Sequence, residues 1–371
     1  MGPVTIDDTT LRDGAQTPGV AFSLADKLEI ARRLDAIGVE EIEAGIPVMG
    51  DDEQEAFRAL TDLGLKARLL AWNRAVISDI RASLDAGATS VEISLPLSEI
   101  QISSKLGKTP PWVIDQLRRV LDFCATKNLY VSVGGEDASR APLDFVIAYA
   151  KAAKEHGAAR FRYCDTVGIL DPFSTYDAVK SLIAESGLAV EIHTHNDFGL
   201  AGANALAAVK AGATHINTTV IGLGERAGNA PLEEIIMALR YVYQQPVTYN
   251  TADLRSLAQY VAAASGRTIE PYRPVIGELM FTHESGIHAD GVLKNPANYE
   301  PFPPEVLGMQ RHIVVGSHSG TQGVIHRLHQ RGVVADRHSV NGIMPQIRRL
   351  ANERKRALSD DELCELYEAS L

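Results

Sequence analysis

One phrase recurs along the chain and limits its fold more than any composition does: a helical stretch ends in Gly or Asn, and a short β-rich run follows within two or three residues. Gly38 precedes Val39–Glu43, Gly64 precedes Lys66–Leu70, Gly87 precedes Ser90–Ser94, and Asn128 precedes Tyr130–Val133. Gly157, Gly187 and Gly212 introduce Arg160–Tyr163, Val190–His193 and His215–Thr218 in the same way. Gly and Asn suit the left-handed position that closes a helix, so each phrase reads as a helix C-cap feeding a strand. The opening run Val4–Asp7 brings the strands to eight. Strands alternating with helices call for a parallel sheet, and eight such units predict an α/β fold, a (β/α)8 TIM barrel.

The segments between the strands agree. Ser23 with Asp26 forms a capping box, and Leu24, Leu28, Ala31 and Leu34 keep one apolar helical face. Thr109-Pro110 opens a helix carrying Ile114, Leu117, Val120 and Leu121. The long gap between Gly87 and Asn128 places an extended loop, Leu95 to Pro111, after strand 4, on the face where such barrels carry their chemistry. The barrel is expected over residues 1–245, ending with a helix from Pro231 to about Tyr243. Residues 246–371 are expected to form a smaller, mostly helical C-terminal subdomain, Pro- and Gly-rich from Tyr272 to Gly308 and helical from His318 onward. Seven of the 11 histidines lie beyond residue 280, so this subdomain is expected to bring chemistry as well as bulk.

A chain of 371 residues, 45% apolar and 22% charged, is globular and neither disordered nor fibrous. Its 36 Lys and Arg against 47 Asp and Glu leave a formal charge of −11, which repels polyanions and argues against a nucleic-acid or anionic-membrane partner. No apolar run is long enough for a membrane helix, and the start Met1-Gly2-Pro3-Val4-Thr5-Ile6 has no basic targeting region. Cys124, Cys164 and Cys364, odd in number and far apart, fit a reducing compartment, and we expect a cytoplasmic protein.

Strand 7 runs into His193-Thr194-His195-Asn196-Asp197. Residues i and i+2 of an extended chain point the same way, so both imidazoles face one side, as metal ligands or as ordinary hydrogen-bonded core histidines. Strand 1 ends in Asp8-Thr9-Thr10-Leu11-Arg12-Asp13-Gly14, so Asp13 could complete an Asp/His2 site compatible with Zn, Mn or Mg. Strand 8 ends in Gly222-Leu223-Gly224-Glu225-Arg226-Ala227-Gly228-Asn229, which formally matches a dinucleotide fingerprint. No βαβ unit with a ribose-binding acid follows, so that reading is rejected. His283-Glu284-Ser285-Gly286-Ile287-His288 is one residue too long for a zincin motif and carries a glycine that breaks the required helix. Asp165-Thr166-Val167-Gly168 after strand 6 reads either as a pocket element or as a plain strand-to-helix turn, and Cys164 beside it as a packing residue.

Taken together, Asp8 to Gly14, His193 to Asp197, Gly222 to Asn229 and Ser285-Gly286-Ile287-His288-Ala289-Asp290-Gly291 resemble the four signatures of the acyl-CoA-condensing barrel metalloenzymes. These are the 2-isopropylmalate, citramalate and homocitrate synthases, and within them the chain is most similar to the homocitrate synthases of nitrogen-fixing bacteria. The resemblance implies condensation of acetyl-CoA with 2-oxoglutarate, followed by thioester hydrolysis to homocitrate and CoA. It implies a divalent metal (Mg, Mn or Zn) held by Asp13, His193 and His195, with Asn229 as a further member of that site. It implies Arg12 as the stabiliser of charge on the acceptor oxygen, with Glu43 in the catalytic pocket, and Gln16 and Thr166 as substrate-binding positions. His288 with Tyr299 matches the family's proton-removing pair; the resemblance implies a homodimer in which the C-terminal subdomain supplies this pair, to its own barrel or to that of the partner subunit.

One departure concerns the acceptor. After strand 5 many relatives read Phe-Ser-x-Glu-Asp, whereas this chain reads Val133-Gly134-Gly135-Glu136-Asp137, and Ser132 stands where lysine-pathway homocitrate synthases carry an arginine. The family therefore also leaves 2-oxoisovalerate or pyruvate as acceptors, giving 2-isopropylmalate or citramalate. Cleaving relatives of the hydroxymethylglutaryl-CoA lyase type carry a cysteine in the glycine loop, and Gly222 to Asn229 has none.

Overall fold

The computed structural model describes residues 2–246 and 248–371. These divide into two compact units, residues 1–269 and 270–371.

In the first unit eight parallel strands close into a barrel in sequence order. They are β1 (Thr5–Asp8), β2 (Glu41–Gly45), β3 (Arg68–Arg74), β4 (Ser90–Pro96), β5 (Tyr130–Glu136), β6 (Arg160–Asp165), β7 (Ala189–Thr194) and β8 (His215–Thr218). The crossovers are α1 (Leu24–Ile37), α2 (Asp51–Thr61), α3 (Ile77–Asp85), α4 (Pro110–Ala125), α5 (Leu143–Glu155), α6 (Pro172–Ser186) and α7 (Ala201–Ala211), and α8 (Leu232–Tyr241) follows the last strand. All seven expected cap residues have positive φ, from 54° at Asn128 to 115° at Gly212. The Ser23–Asp26 capping box is present in full.

Two expectations are corrected. The barrel unit does not stop at residue 245: Asn250 N–H donates to the Ile37 carbonyl (2.8 Å), Tyr249 Oη donates to Glu40 (3.0 Å), and α9 (Leu254–Ser265) packs on α1. A buried apolar face on α9, with Leu254, Leu257, Ala258 and Val261, explains why the unit runs to residue 269. The segment after β4 is not a plain loop either. Ser98 caps a helical turn at Glu99–Gln101, and a wide π-helical turn follows over Ile102–Leu106, closed by Gly107 in the left-handed conformation.

Outward-facing Ile6, Ile42, Val91, Ile93, Val133, Phe161, Val190 and Ile192 are fully buried. The barrel interior is instead filled by charge. Arg160 contacts Glu191, Glu41 (2.6 Å) and Asp7 (3.2 Å), and Arg162 reaches Glu43 (2.5 Å), Glu191 (2.7 Å) and Asp7 (2.7 Å), all side chains being buried. Charges taken out of water are tolerable only when paired and hydrogen-bonded, and this network meets that condition for both arginines.

The second unit pairs β9 (Thr282–His283) with β10 (His312–Ile313) in parallel and carries α10 (Gly286–Lys294), α11 (Thr321–Gln330), α12 (Arg337–Arg354) and α13 (Asp360–Glu368). Its core includes Val324, Leu328, Val340, Ile343, Ile347, Leu363 and Tyr367. Gly286 starts a helix where the sequence suggested a break. A Cβ there would lie 2.8 Å from the Gly320 Cα, so glycine is needed for close backbone approach. Among the described residues no helix is long and apolar enough to cross a membrane.

Candidate metal centre at the barrel mouth

The C-terminal ends of β1, β7 and β8 bring Asp13, His193, His195 and Asn229 together. His193 and His195 lie on one face of β7 and its extension, and their Nε2 atoms approach to 3.2 Å. Asp13 Oδ2, from the turn after β1, is 3.5 Å from His193 Nε2 and 3.8 Å from His195 Nε2. These three are a buried group whose ligand atoms could hold one metal ion. Asn229 donates from Nδ2 to Asp13 Oδ2 (3.0 Å) and to the Leu223 carbonyl (2.9 Å), leaving its Oδ1 buried without a hydrogen-bond partner.

The protonation states suit a cation. Burial, then the neighbouring His195 and Arg12, push the His193 imidazole down to about 3, so it is neutral near pH 7. Burial, Arg226 and Arg12 push His195 down as well. Burial opposes ionisation of Asp13, but the Arg12 guanidinium and the Asn229 hydrogen bond, among others, hold its carboxyl below the usual range. His193 Nδ1 bonds to Asn217 Oδ1 (2.7 Å), and Asn217 Nδ2 in turn donates to the Asp7 carbonyl (3.2 Å), which fixes the amide. With Nδ1 as the donor, His193 Nε2 keeps its lone pair. The lone pair of His193 Nε2 and the Asp13 carboxylate therefore face one point with the His195 ring beside them, and a divalent cation of the Zn, Mn or Mg kind fits that set of residues.

Arg12 stands beside this group. Its Nε donates to Glu43 Oε2 (2.7 Å), its Nη1 lies 3.7 Å from Asp13 Oδ1, and its guanidinium carbon sits 5.6 Å from the centre of the Trp72 ring. Glu43 is fully buried. Burial alone would raise its pKa, but Arg12, Arg162 and the Thr9 hydroxyl (2.5 Å) outweigh that and hold it ionised. Asp8, at the end of β1, is tied to Thr10 N–H (3.0 Å) and Thr218 Oγ1 (3.1 Å), and burial pushes it up to about 6.

A cavity of about 260 Å³ opens over this group. Gln16 and Thr166 line it, together with Trp72, Glu92, Ser94, Lys105, Glu136, Arg162, Cys164, Glu225 and Arg226. Thr166 Oγ1 also accepts the Asp137 N–H (2.8 Å), while Asp165 caps the turn by accepting Ile169 and Leu170 N–H, so both readings of that segment hold at once. Burial pushes the Cys164 thiol well up, in keeping with a packing role. Sequence reasoning missed Trp72, Glu92, Lys105, Arg162 and Asn217. A usable signal was the run of polar residues at i, i+2 on the strands, such as Glu92 and Ser94 or Arg160 and Arg162. His288 and Tyr299 lie in the second unit, both exposed, with rings stacked 4.2 Å apart; Gly291 makes room, since a Cβ there would meet the Tyr299 ring at 2.4 Å. His283 bonds to Glu300 (3.0 Å) from a strand, so no single helix carries it and His288.

Fold and site define the class: a (β/α)8 barrel with a cavity at its C-terminal mouth and, beside it, three residues that could hold a cation. Residues 3–261 match the HMGL-like family, and residues 275–355 match the homocitrate synthase post-HMGL domain-like family. The chain is 51% identical to homocitrate synthase 1 of Nostoc sp. over 99% of its length and 97% of that protein's. It is 50% identical to 2-isopropylmalate synthase 2 of Caldanaerobacter subterraneus subsp. tengcongensis, over 99% and 95% of the two chains. With the homocitrate synthase of Frankia sp. the identity is 45%, over 96% and 88%. Among solved structures, the hydroxymethylglutaryl-CoA lyase of Pseudomonas aeruginosa superposes with a TM-score of 0.64 at 19% identity, covering 72% of this chain and 94% of that one, and so shares the fold. The chain belongs to the HMGL-like family and, within it, to the homocitrate and 2-isopropylmalate synthases, enzymes of the acyl-transfer class.

Proposed function

We propose that the protein condenses acetyl-CoA with 2-oxoglutarate and hydrolyses the thioester, giving homocitrate and CoA. The observation that carries this is the meeting of Asp13, His193 and His195 beside Arg12 at the floor of a polar cavity. Asp13, His193 and His195 would hold a divalent cation, with Asn229 hydrogen-bonded to Asp13 beside them. When bound, such a cation acts as a Lewis acid on the acceptor's 2-oxo group.

The remaining work belongs to the chain's own residues. Arg12, permanently charged and locked by Glu43, stabilises negative charge as it develops on the acceptor oxygen. Gln16 and Thr166 orient the acceptor from the cavity wall. His288, stacked on Tyr299, takes a proton from the acetyl methyl group. The resulting carbanion attacks the 2-oxo carbon, and water then cleaves the thioester. We further read the protein as a cytoplasmic homodimer of the nitrogen-fixation type; the three free cysteines are in keeping with that compartment.

A second acceptor, 2-oxoisovalerate, is favoured by the 50% identity to the protein named 2-isopropylmalate synthase. Rates of CoA release with Mn or Mg and each of 2-oxoglutarate, 2-oxoisovalerate and pyruvate test the reading. The proposal requires 2-oxoglutarate to give the highest kcat/KM, and a higher value for another acceptor would replace it.

A further inference from the structure

Because the barrel closes in sequence order, β4 and β5 lie across the mouth from β8 and β1. A 2-oxo acid held at its 1-carboxylate end near Asp13 and His193 therefore extends its far end toward the β4–β5 wall. Among the described residues, four guanidinium or ammonium groups line the cavity: Arg12, Lys105, Arg162 and Arg226. Three are committed elsewhere. Arg12 is bound to Glu43 beside the metal set, Arg162 is enclosed by Asp7, Glu43 and Glu191, and Arg226 is chelated by Asp197 (2.8 and 2.9 Å) and the Thr166 carbonyl (2.8 Å).

Lys105 differs. It stands on the π-helical turn after β4, a kind of irregularity that concentrates at functional sites, and its side chain is 53% exposed. Its ammonium bonds to both carboxylate oxygens of Glu136 at the end of β5 (2.6 and 2.8 Å). A solvent-exposed ion pair of this kind is weak, so a ligand anion can replace Glu136 at small cost. The wall beneath carries Glu92, for which Gly134 makes room: a Cβ there would lie 2.5 Å from Glu92 Oε1. Glu92 is buried with neither oxygen hydrogen-bonded, and burial favours its neutral form, which reduces repulsion of an incoming anion.

We propose that Lys105 is a specificity-determining residue that exchanges Glu136 for the distal anionic group of the acceptor, so that the site selects 2-oxo acids bearing a second terminal anion. This rests on the condensing reading above and deepens it. Lys105→Met, Lys105→Arg and Glu136→Gln, assayed by CoA release with acetyl-CoA and Mn, test it against 2-oxoglutarate and 2-oxoisovalerate. Loss of one charge-assisted hydrogen bond predicts a KM for 2-oxoglutarate raised roughly 10- to 100-fold in Lys105→Met. kcat and the KM for 2-oxoisovalerate should change little, and Lys105→Arg should recover most of the loss. Glu136→Gln frees Lys105 and should lower the KM for 2-oxoglutarate. Titration of the metal-loaded protein with 2-oxoglutarate, followed by the fluorescence of Trp72 in the cavity wall, should show the same weakening without turnover.

An unchanged KM in Lys105→Met, an equal loss with both acceptors, or a rise in Glu136→Gln would overturn the assignment and leave the condensing reading intact. A wild-type protein that turns over 2-oxoisovalerate and not 2-oxoglutarate would do the same. A wild-type protein silent with every acceptor would remove the condensing reading and the role of Lys105 with it.

Discussion

At the scale of single residues, the site depends on which nitrogen of His193 carries the proton, and Asn217 sets that choice. Asn217→Ala removes the acceptor for Nδ1–H; loss of such a supporting contact costs roughly 10- to 100-fold in metal affinity. Calorimetric titration with Mn reads this directly, and an unchanged affinity would contradict the role given to Asn217. Glu92 supplies a test by pH. Burial pushes it up from the ordinary 4.5 to about 7, so the folded protein holds this proton more tightly than the unfolded chain does. Its contribution to stability is present below pH 4.5 and is lost as pH rises through 7, a difference on the order of 3 kcal/mol. Glu92→Gln, which cannot ionise, should melt several degrees above the wild type at pH 8 and close to it at pH 5; an equal shift at both pH values would rule out this account. The metal set was legible in the sequence because Asp13, His193 and His195 each sit in a short polar string at a strand end. Glu92, Arg162 and Asn217 were passed over, because polar residues alternating with apolar ones on a strand read equally well as a solvent-facing side and as a charged barrel interior.

At the scale of elements, seven of the eight strands were legible because each begins just after a residue suited to the left-handed conformation, and all seven such residues adopt it. The turn after β4 was not, since a π-helical turn has no sequence period of its own. α9 was assigned to the wrong unit because its apolar face states that it packs and not on what. In the loop after β8 the structure shows why one glycine is needed. Gly228 has φ of 85°, and a Cβ there would lie 1.9 Å from the Gly222 carbonyl oxygen, so glycine is required for the turn that presents Asn229. Gly228→Ala should destabilise the protein by about 1–3 kcal/mol through backbone strain. It should also weaken metal binding, because Asn229 would no longer hold Asp13. Thermal melting with metal titration checks both, and a variant that keeps wild-type values in each would show the turn to be dispensable.

At the scale of the whole molecule, the barrel is held open above and filled with charge below. Arg160 and Arg162 tie β1, β2, β6 and β7 together through Asp7, Glu41, Glu43 and Glu191, and the same Glu43 fixes Arg12 in the site. Stability and chemistry thus share one network. Arg162→Met takes one of two guanidinium partners from each of the buried carboxylates Asp7, Glu43 and Glu191, and breaking buried pairs in this way costs about 3–5 kcal/mol. Its melting temperature should fall by several degrees, and a variant as stable as the wild type would show that the network carries no net weight. The measurement that tests the central claim most directly is the mass of the product formed from acetyl-CoA and 2-oxoglutarate by the Mn-loaded protein, compared with the chelator-treated one. The account predicts homocitrate and free CoA in equal amounts, formed only with metal present. No acetyl-CoA-dependent product from any 2-oxo acid, with metal bound, would contradict it.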